Sequence, residues 1–261
     1  MKKNSSKIPK KLLAILFLIS LNSLVYAQND SIATDKIRTE SGVDPTRVNS
    51  RVGYSVLYYN QADNRAQITN RATLTLGVNR WSFAIRPEFT SIHNGVPGTG
   101  FQSGMGDFKF TILNAFYVKD KNAIAGSVEF GLPFAKAGLG LPYFTATPAI
   151  TFSHTFTPSL LLAIQPQYTF NIANDVIYPN ISVLTVRMFL AKFTKTGYFF
   201  VFEPRPIYNF ENKNLDIIIS PILGKALGAG YNLITLLEIP TKQKTIDNQG
   251  ILFQFGFNKN F

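Results

Sequence analysis

Charged residues occur at alternating positions within segments that are otherwise apolar. In residues 200–210, FVFEPRPIYNF, Glu203 and Arg205 are two apart among aromatic and aliphatic residues, and Arg86 and Glu88 repeat that spacing. Residues two apart lie on the same face of a β-strand, and a charge is costly on a face that meets an apolar environment. The pattern therefore indicates strands with one aqueous and one apolar face, and the aqueous face could bind ions or polar solutes.

The first residues are typical of an export signal. Five lysines accompany an apolar run from Leu12 to Leu24, and Val25-Tyr26-Ala27 supplies small residues for cleavage after Ala27. We predict that residues 1–27 are a cleaved signal peptide. The alternative, an N-terminal membrane anchor, fits less well because the apolar run is shorter than the ~20 residues that a spanning helix needs.

Composition narrows the fold class of the exported chain. Loss of the five leader lysines lowers the formal charge from +11 to +6, and no basic run in the remaining residues indicates nucleic-acid binding. The chain has 23 Phe, 11 Tyr and no Cys, and no apolar run after the leader has the length of a membrane helix. A transmembrane β-barrel of the bacterial outer membrane satisfies these observations, because its strands need an apolar residue only at every second position.

Period-2 alternation predicts an all-β, antiparallel up-and-down barrel of about 12 strands over residues 48–261. The expected strands are 48–59, 66–78, 81–90, 106–118, 123–132, 144–155, 160–171, 180–191, 198–208, 215–224, 230–239 and 250–261. The connections alternate between short and longer ones, as in bacterial barrels with short periplasmic turns. Residues 28–47 are polar and aperiodic, and we expect a flexible periplasmic N-terminal arm there.

Several prolines fall within the expected strands, on the side that would face lipid. They are Pro87, Pro148, Pro166, Pro204, Pro206 and Pro221. A proline removes one hydrogen bond from the ladder, and a closed barrel has no edge strand to accommodate it. We therefore expect bulges or bends near several of these positions, or strands that end earlier than the alternation suggests.

The last residues, GILFQFGFNKNF, alternate aromatic and polar side chains up to Phe261. This ending resembles the C-terminal signature of bacterial outer-membrane barrels, which the barrel-assembly machinery reads. We accordingly expect three partners: outer-membrane lipid, the assembly machinery through Phe261, and a small-molecule permeant.

Two internal segments carry a family resemblance. GMGDFKFTILNAFYV (104–118) and GSVEFGLPF (126–134) resemble the meta-pathway phenol-degradation-like outer-membrane transporters, here of a Bacteroidetes type, in which Gly-x-Gly-Asp precedes a long strand and the next strand ends in Pro. The matching residues are Gly104, Gly106, Asp107 and Pro133, followed by the Gly-rich AKAGLGLP. The resemblance implies an outer-membrane channel for small molecules, with hydrophobic or aromatic compounds as the substrate class.

Eight charged residues are the candidate site on the lumen face: Arg86, Glu88, Asp107, Lys109, Glu129, Glu203, Arg205 and Glu238. One hypothesis is a constriction of mixed charge that sets a transverse field and selects permeants. The alternative is a set of ion pairs that fills and stiffens a small barrel. The sequence leaves both open.

Catalytic chemistry finds little support in the sequence. His93 and His154 are the only histidines, which excludes a multi-histidine metal site. Ser153-His154 is similar to the serine–histidine pair of barrel phospholipases, but no acidic residue lies nearby in sequence to complete a triad, and we expect His154 at the membrane interface. The Gly-rich segments lack the following helix of a phosphate loop and are expected to be flexible outer loops.

We therefore expect a passive outer-membrane channel for uptake or efflux of small molecules, with no cofactor and no enzymatic activity. The alternatives are a non-conducting structural or ligand-binding barrel, a lipid-acting barrel enzyme, and a secreted soluble β-protein. A secreted soluble β-protein would need its aromatic faces buried against another part of the structure. The chain has too few polar positions to form the second, solvated face that such a protein requires.

Overall fold

A computed structural model describes residues 31–60, 65–172, 180–241 and 250–261. The predicted signal peptide lies outside the described residues. The described chain forms one helix, α1 (Ser31–Ser41), followed by twelve strands. The strands are β1 (Arg51–Asn60), β2 (Ala66–Val78), β3 (Trp81–His93), β4 (Gln102–Lys119), β5 (Asn122–Leu132), β6 (Thr145–Thr157), β7 (Leu160–Asn171), β8 (Ser182–Phe193), β9 (Tyr198–Asn209), β10 (Asn214–Gly228), β11 (Tyr231–Pro240) and β12 (Ile251–Asn260).

The strands close into one antiparallel barrel in which each strand pairs with its neighbours in sequence and β12 returns to β1. The closing pair runs without interruption from Arg51 opposite Asn260 to Asn60 opposite Ile251. Closure leaves no strand edge with unpaired backbone groups. The predicted twelve-stranded barrel is therefore confirmed, and the predicted strand bounds differ from the observed ones by four residues at most.

Side chains alternate between the lumen and the exterior along each strand, as period-2 patterning requires. On β9, Tyr198, Phe200 and Phe202 are exposed on the exterior, whereas Phe199 and Val201 are buried toward the lumen. On β12, Phe253, Phe255 and Phe257 are likewise exposed on the outer face. The exterior is thus an apolar band of the kind that a barrel presents to lipid. In the described part of the chain, no helix has both the length and the apolar character needed to cross a membrane.

The two ends of the barrel differ in their connections. At the turn end, strands are joined by short turns such as 79–80, 120–121 and 229–230, and the first and last residues of the barrel also lie there. The opposite, loop end carries longer connections such as 94–101 and 133–144. The tight turns at the turn end use a positive φ at Asn79, Asp120 and Ala229, which lets two strands reverse within two residues.

The prolines are accommodated mainly by missing rungs in the ladder rather than by bulges. The register between β8 and β9 has a gap between Thr185–Ile207 and Leu190–Phe202, which spans Pro204 and Pro206, and resumes unshifted. Similar gaps without a shift lie beside Pro148 and Pro166 between β6 and β7, and beside Pro221 between β10 and β11. Only Pro87 lies at a register shift. The expected bulge is therefore found at Pro87, and the strands run on through all six prolines.

Helix α1 and the following linker, residues 42–50, lie inside the barrel at the turn end. The side chains of Ile37 and Val43 pack on lumen-facing residues of the wall, and the Arg38 guanidinium donates to Thr155 Oγ1 over 2.5 Å. The Asn232 side chain donates to the carbonyl of Glu40 over 2.6 Å. The structure thus differs from the expected flexible arm: this segment is polar because it pairs with polar wall residues, and it is helical where it meets the wall.

An apolar cluster on the lumen wall forms the seat of α1. It consists of buried residues from β7 to β9, with Ile222 and Ile234 packed against it from β10 and β11: Leu161, Ala163, Phe189, Ala191, Phe193, Phe199 and Val201. Ile37 of α1 and Val43 of the linker pack against this cluster.

The seat of α1 depends on the absence of a side chain at Gly224. A Cβ atom at that position would overlap the ring of Phe199, which is fully buried across the strand pair. We predict that Gly224→Val lowers the free energy of unfolding by about 1–3 kcal/mol through overpacking, measured by urea titration of the folded barrel on heat-modifiable gels. Gly126→Val is the matched control, because a Cβ at that position would meet only the Phe116 ring at 3.5 Å. Equal stability of both variants would contradict this packing.

Candidate functional site

The lumen is crossed by a belt of charged side chains, all on the inward faces of their strands. The charged belt comprises Arg71, Arg86, Glu88, Lys109, Glu129, Arg187, Glu203, Arg205 and Glu238. The strand register and the strand tilt together give the height of each residue along the barrel axis. The charged-belt residues span roughly 8 Å along this axis. The charges therefore form a single layer.

The first part of the charged belt lies on β2 to β5. The Arg71 guanidinium donates to Glu88 Oε1 over 2.7 Å, and these residues are directly opposite on β2 and β3. The Arg86 guanidinium pairs with the Glu129 carboxylate, and Lys109 Nζ lies 3.6 Å from the same carboxylate. Since Arg86 is opposite Lys109 in the register, one carboxylate compensates two neighbouring cations.

The second part lies on β8 to β11, across the lumen from the first. The Glu203 carboxylate accepts from Arg187 over 2.6 and 3.2 Å, and also from Arg205 Nε over 3.1 Å. The other arm of Arg205 donates to Glu238 Oε1 over 2.8 Å. The result is a continuous chain of alternating charge in which Glu203 is fully buried between two arginines.

Neutral polar residues separate the two charged parts. On β6 and β7, Gln165 donates to Thr151 over 2.8 Å, and the Thr147 and Thr169 hydroxyls are 3.0 Å apart. The lumen wall is thus polar between the two charged parts as well, but the charged side chains themselves are concentrated on two facing walls.

The facing walls are close enough to interact. Strand spacing and tilt give twelve strands a backbone-to-backbone diameter of roughly 24 Å, and an arginine extends several ångströms inward from each side. The guanidinium of Arg86 on β3 interacts electrostatically with those of Arg187 on β8 and Arg51 on β1. The charged belt is therefore a narrow section of the lumen with cations and carboxylates on both facing walls, and rings of charged side chains of this kind can select among ions in a pore.

Asp107 is the one predicted site residue that does not pair within the charged belt. Its carboxylate accepts the backbone N–H of Leu141 over 2.8 Å and so fixes the loop 133–144. The same loop is held by a backbone bond from Lys136 to Met105 over 2.9 Å, and its Leu139 is buried next to Gly104. Asp107 is drawn toward this loop because the ladder between β3 and β4 shifts register beside it.

Two charged-belt residues, Arg71 and Arg187, were not among the sequence candidates. Both have a signal in the alternation: Arg71 shares its face with Thr69 and Thr73, and Arg187 shares its face with Thr185. Neither has an acidic residue two positions away, unlike Arg205, so the local pattern does not mark them as members of an ion pair. Their partners are supplied by the neighbouring strands.

The two histidines lie outside the charged belt. His93 closes the loop that follows β3, with its ring nitrogens 2.9 Å from the Thr99 carbonyl and 3.1 Å from the Gly95 N–H. His154 is on the exterior near the turn end, 2.8 Å from the Asn122 side chain. Ser153 points to the lumen, where its hydroxyl meets that of Thr46, so Ser153 and His154 lie on opposite faces and form no catalytic pair. No group of three or more metal-ligating side chains occurs among the described residues.

Known structures share the fold of this chain. No family model and no curated protein sequence matches it. The COG4313 outer membrane channel from Pseudomonas putida F1 superposes with a TM-score of 0.63 at 11% identity, covering 84% of this chain and 98% of that one. The NanC porin and the KdgM porin each give 0.57, at 10% and 8% identity, covering 81% of this chain and 98% and 99% of theirs. At these identities the similarity establishes a porin-like barrel fold.

The burial of Glu203 generates a prediction about stability. Glu203→Gln removes the carboxylate that compensates Arg187 and Arg205 and leaves two arginines facing each other. We expect a loss of about 2 kcal/mol in the free energy of unfolding, less than for a fully buried pair because both arginines reach the lumen water. Urea unfolding measures it, with Glu211→Gln in the exposed 210–213 connection as the control. Unchanged stability in Glu203→Gln would show that the network does not stiffen the barrel.

Proposed function

We propose that this chain is a passive channel of the bacterial outer membrane that conducts small solutes through its lumen. The observation that carries the proposal is the charged belt, a layer of partly exposed, ion-paired side chains inside a barrel with an apolar exterior. A barrel that served only as a structural element could fill this layer with apolar side chains, which need no compensating partners. The structural neighbours described as porins and an outer membrane channel support the same function.

The orientation follows from the connections. Bacterial barrels have short turns on the periplasmic side, so the turn end, with α1 and both barrel termini, faces the periplasm. The predicted signal peptide supplies export, and the aromatic exterior supplies the contact with outer-membrane lipid. The side chain of Phe261, 73% exposed, is available to the barrel-assembly machinery.

The permeants are small, because the lumen is narrowed at several levels. The charged belt occupies the middle, the loop 133–144 folds onto the wall at the loop end, and α1 occupies the turn end. Between the charged belt and the loop end, Tyr59, Ile218 and Leu252 line a cavity of about 120 Å³ together with Glu238. These three side chains can contact the apolar or aromatic body of a solute, in agreement with the substrate class implied by the family resemblance.

Helix α1 is the element best placed to open and close the periplasmic mouth. An α-helix with its side chains is about 10–12 Å across, which is most of the width that remains inside this barrel. Several buried polar atoms where α1 and the linker meet the wall have no hydrogen-bond partner: Arg38 Nε, Arg51 Nε, Asn232 Oδ1 and Asn260 Oδ1. An unpaired buried polar atom costs about 1–3 kcal/mol, and we propose on this ground that α1 leaves its seat when the channel opens.

A second candidate function, a non-conducting structural or ligand-binding barrel, is favoured by a different observation. The apolar cluster under α1 buries Phe193, Phe199 and Leu161 almost completely, as a packed core would. A lipid-acting enzyme is not supported, because Ser153 and His154 face opposite sides of the wall.

Conductance of the refolded protein in a planar bilayer tests the proposal directly. We expect discrete openings in simple salt, of lower conductance than those of an open sixteen-stranded porin, because the lumen is narrower and partly occupied. A folded, heat-modifiable barrel that inserts but never conducts would contradict the channel and favour the structural alternative.

A disulfide lock tests the role of α1. The hydroxyls of Thr46 and Ser153 are 2.9 Å apart, so Thr46→Cys with Ser153→Cys places two sulfurs within bonding reach, in a chain without native cysteine. We expect the oxidised double variant to lose most of its conductance, because the linker then holds α1 in the mouth. Reduction should restore it.

The single variants Thr46→Cys and Ser153→Cys are the controls, since neither can form the internal bond. Wild-type conductance in the oxidised double variant would show that α1 is a fixed lining rather than a gate, and would leave the channel itself in place. Silence of the wild type and of every variant would instead contradict the channel.

A further inference from the structure

The cations of the charged belt are more exposed to the lumen than the carboxylates that compensate them. The Arg187 side chain is 33% exposed, whereas Glu203 is fully buried beneath it. Arg71 is 24% exposed and its partner Glu88 only 8%. Only the pair of Arg205 and Glu238 departs from this order, with the carboxylate slightly more exposed. A solute that enters the charged belt therefore meets guanidinium groups first.

The geometry of the side chains explains this asymmetry. A glutamate is shorter than an arginine, so it stays close to the wall and accepts from neighbouring strands, while the arginine reaches over it toward the centre. Glu203 is enclosed in this way by arginines of β8 and β9. Glu203 and Glu88 are thus screened from the lumen by their partners, whereas Glu129 and Glu238 remain 27% and 22% exposed.

The charge balance adds to the asymmetry. Among the described residues of the charged belt, five cations face four carboxylates. Arg51 adds a further cation toward the turn end and interacts electrostatically with Arg86. Asp107 binds the loop 133–144, and Asp44 of the linker accepts from Thr46 over 2.7 Å. Asp216 lies toward the loop end, on the same face of β10 as Ile218, and accepts from the Asn214 side chain over 3.0 Å. The side chains of the charged belt itself sum to one formal positive charge.

We propose that the channel prefers anions and that its substrates are small organic acids, whose carboxylates interact with the exposed guanidinium groups of Arg187 and Arg86. The inference rests on the proposed channel function and defines its substrate class. An arginine presents a planar fork of donors that matches a carboxylate. On the loop side of the charged belt, Tyr59, Ile218 and Leu252 line a cavity together with Glu238, and these three side chains can contact the apolar body of such an acid.

The reversal potential in a potassium chloride gradient measures this preference. We expect the wild type to reverse near the chloride equilibrium potential and Arg187→Gln to shift toward zero, because one exposed cation is lost while Glu203 keeps Arg205 as a partner. Arg187→Lys should keep the wild-type sign. Arg80→Gln is the matched control: it removes the same charge from an exposed turn outside the lumen, where Arg80 donates to the Phe116 carbonyl, and should change nothing.

Competition between matched solutes tests the substrate class. Benzoate added on the loop side should reduce the chloride current at millimolar concentration, whereas benzyl alcohol, similar in shape but uncharged, should not. Loss of the benzoate effect in Arg187→Gln would place its binding at the charged belt.

The outcomes separate the inference from the function on which it rests. A conducting wild type that reverses near the potassium potential overturns the anion preference and leaves the channel intact. Equal reversal potentials near the chloride value in wild type and Arg187→Gln overturn the assignment of the preference to Arg187. Block by benzyl alcohol as strong as by benzoate overturns the carboxylate requirement. A barrel that never conducts contradicts the channel itself.

Discussion

The constraint on which the rest of this structure depends is that every backbone N–H and C=O group in a wall facing an apolar environment must be paired within the wall. Closure of β1 on β12 meets that constraint at the seam, with ten consecutive paired residues. Once the wall is closed, period-2 geometry gives each strand one exterior and one interior face. Any charge that the chain carries within a strand then has to face inward, where it meets other charges in a confined space. The charged belt follows from the closed ladder together with the spacing of a few arginines and glutamates.

The prolines show how far this constraint can be relaxed. Each removes one donor, and the ladder beside most of them omits a few rungs while the register on either side is preserved. A bulge would instead shift the register and move every following side chain to the other face. Retaining the register at Pro204 and Pro206 keeps Glu203 and Arg205 on the lumen side, so the local loss of hydrogen bonds preserves the sidedness on which the charged belt depends.

Sequence patterning predicts the strands, because their successive side chains face the lumen and the exterior in turn. It misses segments in which the side chains do not alternate in this way. The bounds of β2 and β7 are as expected, because polar and apolar residues alternate up to the turns. Strand β4 begins four residues early, at Gln102, because residues 102–105 pair with β3, and Gly104 and Gly106 carry no periodic signal that would indicate this pairing. Helix α1 is missed for a similar reason: SIATDKIRTES is short and polar, and a helix of that length is marginal unless it packs on another surface. The surface on which α1 packs is formed by residues of β7 to β11, and no short stretch of the sequence contains all of them.

In the candidate site, too, alternation predicts some features and cannot predict others. Six of the predicted charged residues pair in one belt because each strand placed them on the correct face, and Glu88 joins through a partner that the sequence did not indicate. The partner identities depend on the register between strands, so Arg71, Arg187 and the diversion of Asp107 to a loop could not be derived from alternation alone. Alternation specifies the face on which a charge lies, whereas closure of the barrel specifies the residue that it meets.

In the proposed channel, the charged belt and α1 would act on a permeating solute in series and by different physical effects. The charged belt discriminates by charge, since its field acts on a solute without any part of the wall moving. Helix α1 discriminates by occupying space, and its position depends on contacts that include unpaired polar atoms. In a series arrangement the narrower element controls how much current flows, while the charged layer controls which ion carries it. Conductance and selectivity are therefore separable properties of this barrel: the first resides mainly in residues 31–50 at the turn end, and the second in the exposed arginines of the charged belt.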